Sequence, residues 1–160
     1  MGGVVINSEP IRILGASAAT GASVTGTVTE TALATITVPA GAMGLNGIIR
    51  VTPLFSYTNS ANNKTLRVRL GGIGGPAFLS NAATTTLLAQ PIVLIRNRGV
   101  ANSQVGFTAA TFSSVGITTG ALATGSVDTS AATTVVISGQ LANTGETITL
   151  ESYLVELIVP

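Results

Sequence analysis

Apolar side chains recur at every second position through the middle of the chain. Ile49, Val51, Phe55 and Tyr57 share one parity, with Pro53 among them. Leu66, Val68 and Leu70 share another, with Arg67 and Arg69 on the opposite parity. Successive side chains on a strand point to opposite faces, so both segments read as strands with one oily face. The Thr-Asn-Ser-Ala-Asn-Asn stretch between them supplies turn residues. The pattern predicts a β-hairpin over 46–72, with its apolar parity toward a core and Arg67 and Arg69 toward water or a partner. Pro53 has no N–H to give to a ladder, so its strand is expected to lie at a sheet edge or to carry a bulge.

The same period marks other segments. Residues 28–38 present Ala32, Ala34, Ile36 and Val38 on one face, and 91–98 alternates Ile92, Leu94 and Arg96 with Val93, Ile95 and Asn97. Residues 104–112 carry Val105 and Phe107 in register, and shorter strands are expected at 121–127 and 133–138. The Thr-rich 77–88 is weakly patterned and reads as one short strand. In 146–159 the apolar parity is even at Ile148 and Leu150 but odd at Tyr153, Val155 and Leu157, and a bulge near Glu151 and Ser152 accounts for the switch. No helical period appears, while Thr and Val are abundant. About eight strands separated by Gly, Pro and Asn turns predict an all-β antiparallel sandwich, and an eight-stranded jelly roll fits the count. No internal repeat favours a propeller or β-helix.

The N-terminal stretch breaks this rhythm. Val4, Val5 and Ile6, then Ile11, Ile13 and Leu14, form two short apolar runs around Ser8-Glu9-Pro10, and 15–27 is almost wholly Gly, Ala, Ser and Thr. Residues so small and polar bury too little to order themselves. The expected organisation is therefore an extended N-terminal arm, 1–27, and a sandwich domain, 28–160. A flexible coil of ~13 residues reaches about 20 Å, so the aliphatic end of the arm is expected to anchor on a partner. On that reading, removing 1–27 leaves a folded domain. The competing reading folds the arm back onto its own sandwich.

Composition bears on assembly. Apolar residues are 46% and charged residues 8% of the chain, and mean hydropathy is +0.59. Monomers rarely expose large apolar patches, so other subunits are expected to cover part of this surface. The longest purely aliphatic run, Ile92 to Ile95, falls far short of the ~20 residues that cross a bilayer. Met1 is followed by no basic region typical of a secretory signal, so synthesis in a cytosol is expected. Charge is unevenly placed. Residues 1–30 carry −1, residues 31–127 carry +6 from Arg50, Lys64, Arg67, Arg69, Arg96 and Arg98 with no acid, and residues 128–160 carry −4 from Asp128, Glu146, Glu151 and Glu156. Like charges side by side on a sheet repel, so the basic block needs acidic neighbours, from the C-terminal strand or another copy. Six cations spread over three strands make a thin phosphate track, so nucleic acid is not the expected partner.

Candidate chemistry is sparse. The chain has no Cys and no His, which removes thiolate ligands and the usual general base. Gly72 to Ala77 matches G-x-G-x-x-A in letters, but Pro76 and the Thr-rich segment after it do not make the helix a dinucleotide site needs. Glu146, Glu151 and Glu156 sit five apart on one strand, so neighbours are roughly 16 Å apart, beyond the reach of a glycosidase pair. Lys64, the only lysine, reads as a solvated loop charge. Asp128 is too isolated for a calcium cage. No catalytic, cofactor or metal residue is assigned, and the chain is not expected to be an enzyme.

One stretch carries a resemblance. Asn46-Gly47, Arg50-Val51, Ser56-Tyr57-Thr58-Asn59, Asn62-Asn63-Lys64-Thr65, Arg67-Val68-Arg69 and Gly71-Gly72, followed by 97–106 (Asn-Arg-Gly-Val-Ala-Asn-Ser-Gln-Val-Gly), resemble small tailed-bacteriophage virion proteins. The resemblance covers roughly 40–107, and the family more usually has Trp at the Phe55 position. It implies a non-enzymatic virion structural protein, made in the bacterial cytoplasm. Within that, the expected role is a capsid decoration or cement protein that trimerises and binds the major capsid protein or another virion component through its arm. The alternative is a receptor-binding or tail-fibre head domain that recognises a cell-surface glycan. The residues expected to meet a partner are Val4, Val5, Ile6, Ile11, Ile13, Leu14, Arg67 and Arg69.

Overall fold

The structure, a computed structural model, describes residues 10–19, 21–110, 116–118 and 120–160. Among these residues there are strands and no helix. The strands are β1 (Ile11–Ser17), β2 (Ala22–Thr25), β3 (Thr31–Val38), β4 (Ile48–Tyr57), β5 (Lys64–Leu70) and β6 (Ala77–Ala83), then β7 (Leu88–Ala89), β8 (Val93–Asn97), β9 (Gln104–Gly106), β10 (Ala123–Gly125), β11 (Thr133–Leu141) and β12 (Thr147–Ile158). They form two antiparallel sheets. The eight-stranded sheet runs β1-β12-β4-β8-β9-β10, with β2 also on β12 and β7 also on β4, and the four-stranded sheet runs β3-β11-β5-β6.

The order has a simple logic. Count β1 with β2 as one segment and β7 with β8 as another, and set β9 and β10 aside as an excursion that widens the larger sheet. Eight segments remain. The first, eighth, third and sixth lie side by side in one sheet, and the second, seventh, fourth and fifth in the other. That is a jelly roll, with neighbours in sequence repeatedly placed in opposite sheets. Its core is the set of inward parities expected above. Val51 and Phe55 of β4, Val68 and Leu70 of β5, Ile137 of β11 and Ile148 and Val155 of β12 meet between the sheets. Each such side chain, fully buried, contributes about 1.5–3 kcal/mol of hydrophobic stabilisation.

Several expectations are corrected. The segment 46–72 is not a hairpin: β4 pairs with β12, β7 and β8, whereas β5 pairs with β11 and β6. A polar loop of turn residues can reverse a chain within a sheet or carry it across a sandwich, and both put the oily parities inside. Here the long strands β11 and β12 offer each of them a partner ladder that a hairpin would have to displace. Nor is β4 an edge strand. Pro53 stands opposite Tyr153, and on its other side β8 pairs up to Val51 while β7 pairs from Phe55. The proline falls between two partial ladders, where a missing donor disrupts neither. The bulge foreseen near Glu151 is present on β12, between Leu150 and Ser152.

The expected arm is corrected for residues 11–25. β1 pairs with the C-terminal half of β12 and β2 with its N-terminal half, and Val24 enters the core at 2% exposure. Small residues suit this path: a Cβ at Gly21 would collide with the Leu150 carbonyl oxygen. The 77–88 segment holds a full seven-residue strand, β6, and the first residue of the two-residue β7 rather than one short strand. The Gly-rich corner before it is a turn by necessity, with Gly71 and Gly72 at φ 87° and 90° and a Cβ at Gly75 colliding with the Leu70 carbonyl oxygen.

Candidate assembly interface

The charges on the outward parity of the four-stranded sheet are satisfied by the chain itself. Arg67 and Arg69 of β5 do point out of the core, as expected, but the loop before β3 lays Glu30 over them. Arg69 donates through Nε and Nη2 to the two oxygens of Glu30, at 2.8 and 2.9 Å, and Arg67 Nη1 lies 3.3 Å from the same carboxylate. The Ser138 hydroxyl donates to it at 2.6 Å. Further guanidinium N–H groups are also used: Arg67 donates through Nε to Ser80 and through Nη1 to Gln140, and Arg69 through Nη1 to the Gly75 carbonyl. Burial would raise the Glu30 pKa. The hydrogen bonds from Arg69 and Ser138 and the charges of Arg67 and Arg69 outweigh that and hold it below its usual value. The acidic neighbour for this pair is therefore Glu30, not the C-terminal strand. Arg67 and Arg69, expected to meet a partner, are engaged within the chain.

A second polar cluster ties the 58–63 crossover to the loop before β12. Lys64 is fully buried at 0% exposure, which corrects the reading of a solvated loop charge. Its Nζ donates to the Ser60 hydroxyl and carbonyl at 2.9 and 3.1 Å and to the Asn62 carbonyl at 2.6 Å. Ser60 and Asn62 donate in turn to Oε1 of Glu146. Hydrogen bonds from Ser60 and Asn62, helped by the charge of Lys64, hold the Glu146 pKa low against the opposing effect of burial. The lysine turns inward because three acceptors of the crossover converge on it. A third network is wholly uncharged: Asn97 Nδ2 donates to Thr129 at 2.8 Å and Gln104 Nε2 to Asn97 at 2.9 Å, pinning β8 and β9 to the 127–129 loop. These clusters fasten crossovers. Among the described residues no group of three metal-binding side chains converges.

The outward face of the eight-stranded sheet is different. Residues opposite one another across a ladder share a face. Ile11, Ile158, Ile48, Arg96 and Val105 form one such row across five strands. The next is Ile13, Glu156, Arg50 and Leu94, and beyond it lie Ala16, Leu154 and Thr52, then Ser152 and Leu54. The face is thus mostly aliphatic on a side that antiparallel sheets usually give to water. Its central charges cancel: Arg50 donates to both oxygens of Glu156 at 2.6 and 2.8 Å. That pairing lowers the Glu156 pKa and raises that of Arg50. The basic block thus does meet the C-terminal strand, through Arg50. Among the described residues Arg96 and Glu151, at opposite ends of the face, form no ion pair.

Two of the expected contact residues, Ile11 and Ile13, lie on this face at the open edge of β1, 50% and 63% exposed. Leu14 packs partly against the core, and Val4, Val5 and Ile6 lie outside the described residues. The sequence reading missed Ile48, Leu54, Leu154 and Ile158. The signal was there in β8, where Val93, Leu94 and Ile95 make both parities apolar, and in 153–158, where Leu154 and Ile158 interrupt the polar parity. A shallow depression of about 390 Å³ lies at one end of β4, between Leu87, Leu88 and the hydroxyl residues Ser56, Thr58, Thr147 and Thr149. Tyr57 lines it, but the ring is buried and its hydroxyl is taken up by Thr86 at 2.7 Å.

No family model matches the chain, and no curated protein matches it. Among solved structures, one of the infectious bursal disease virus Gt strain aligns at 11% identity with a TM-score of 0.31, and one of the Gx strain at 10% identity with a TM-score of 0.27. Each alignment covers 96% of this chain and 43% of the solved one, so the chain spans less than half of either. Overlaps this low carry no argument about fold or role.

Proposed function

We propose that the chain is a non-enzymatic structural protein of a virion, acting as a capsid decoration or cement protein that joins other subunits through the outer face of its larger sheet. The observation that carries this reading is that aliphatic face, which spans five strands and leaves Ile11 and Ile13 open at its edge. Its central charges, Arg50 and Glu156, cancel within the sheet, so burying the centre of the face against another protein strands no ion. The jelly-roll order and the resemblance of 40–107 to tailed-phage virion proteins support the setting. The glycan-binding reading has one observation in its favour, the hydroxyl-lined depression beside Leu87 and Leu88, but it has no exposed aromatic platform there. The test is immunogold labelling of particles of the source virus with antibodies to the recombinant chain. Label over the heads is expected. Label confined to tail tips would favour the glycan reading, and unlabelled particles would overturn the virion assignment.

A further inference from the structure

We propose that the outer face of the eight-stranded sheet packs on the same face of a second copy about a two-fold axis, with Arg96 of each copy set against Glu151 of the other. The inference rests on the assembly reading above and names the occupant of that surface.

Size comes first. With strands about 4.8 Å apart and about 3.4 Å per residue along them, each outward position takes about 4.8 by 6.8 Å, so the rows, which taper from five strands at Ile48 to two at Leu54, cover on the order of 400 Å² when flat. Apolar patches of that size on a monomer commonly mark interaction sites. A standard interface buries about 800 Å² per partner, with an apolar centre and a polar rim, so this patch supplies the centre and the surrounding Ser, Thr and charged positions the rim.

Charge selects a second copy. The centre of the face is neutral because Arg50 and Glu156 satisfy each other, so it offers nothing to a strongly acidic or basic partner. An aliphatic, neutral surface is complementary to itself, which is what an isologous contact requires. The two unpaired charges then fix the register. Arg96 shares the row of Ile48, whereas Glu151 accepts a hydrogen bond from Ser56, eight residues further along β4. They stand about 27 Å apart along the strands, at opposite ends of the face. They also lie on strands flanking β4, Arg96 on β8 and Glu151 on β12. Turning one copy end for end brings each arginine to the other's glutamate, provided the strands of the two copies cross at a few tens of degrees. Face-packed sheets adopt a crossing of about 30°. Such a contact closes at two copies, not at the three expected of a cement protein from the sequence.

Sedimentation equilibrium of the full chain tests this. At micromolar concentration the protein should sediment as twice 15.9 kDa. Ile13→Asp, on the proposed face and 63% exposed, should give a folded monomer. Ile73→Asp, on the β5–β6 corner and 44% exposed, should leave the dimer intact. Arg96→Glu and Glu151→Arg should each raise the dimer dissociation constant by about tenfold or more, and the two together should restore it. Circular dichroism melts identify variants that fold. A wild-type monomer or trimer overturns the proposal, as does a dimer indifferent to Ile13→Asp or a charge swap that fails to rescue. If the wild type is monomeric and antibodies still label virion heads, the virion reading stands and only the second-copy proposal falls.

Discussion

The outer face of the four-stranded sheet and that of the eight-stranded sheet are built from the same strand alternation, yet the chain neutralises the charges of one and leaves the aliphatic edge of the other exposed. On the smaller sheet the outward side chains include two arginines, and a loop residue 37 positions before the first of them, Glu30, reaches over to neutralise both. On the larger sheet the outward side chains are mostly aliphatic, and Ile11 and Ile13 at its edge are exposed. A single carboxylate can satisfy a charged face because ion pairs and hydrogen bonds are local and directional. An apolar face needs area, and area has to come from another folded surface. The difference teaches where to look for function: in the face the chain has not finished.

The largest expected effect concerns the edge that frames the open face. Deleting residues 1–27 removes β1 and β2 from β12 and takes Val24 out of the core, so the truncated chain should lose its cooperative thermal unfolding. A sharp melt near the full-length midpoint would show that β1 and β2 are an accessory to the sandwich, as the arm reading first expected.

On the neutralised face, Arg69→Ala leaves the partly buried Glu30 with only Arg67 and Ser138. Hydrogen bonds to charged groups contribute about 1.5–3 kcal/mol, so urea denaturation should show a loss of about 2 kcal/mol. An exposed pair would cost ~0–1 kcal/mol, and a loss that small would mean the cluster is effectively solvated.

Acid sharpens the same contrast. The Glu30 pKa is lowered by folding from an ordinary value of 4.5, so the unfolded chain takes up the proton first. Its contribution to stability is present above about 4.5 and is lost as pH falls through the lower folded value. Glu156 and Glu146 are shifted in the same direction. The urea midpoint should fall between pH 5 and pH 3, and Glu30→Gln should flatten part of that slope. An unchanged slope in Glu30→Gln would assign the acid sensitivity to the other carboxylates whose pKa is lowered, Glu146, Glu156 and Asp128.

The smallest effect on stability is expected on the open face. Ile13→Ser alters a side chain that already faces solvent, so the monomer should change by less than ~0.5 kcal/mol, while sedimentation shows weakened self-association. A large drop in melting temperature without any change in association would make Ile13 a fold residue.

The residues divide along a physical line between what is legible locally and what is not. Alternation is a local property, so the core parities of β4 and β5, the outward position of Arg67 and Arg69, the switch of parity in β12 and its bulge were all readable from the chain itself. The all-β class followed because no stretch repeats at the helical period. Partner choice is not local. Ladder hydrogen bonds are the same between any two strands, so nothing in 46–72 tells a hairpin from a crossover, and nothing in 11–25 shows that β12 is waiting for it. The fate of Lys64 depended on acceptors gathered by the crossover, and that of Arg69 on Glu30, 39 residues earlier. The open face was half legible, since β8 is apolar on both parities, but only the registers of β1, β12, β4 and β8 bring those single outward residues into one surface.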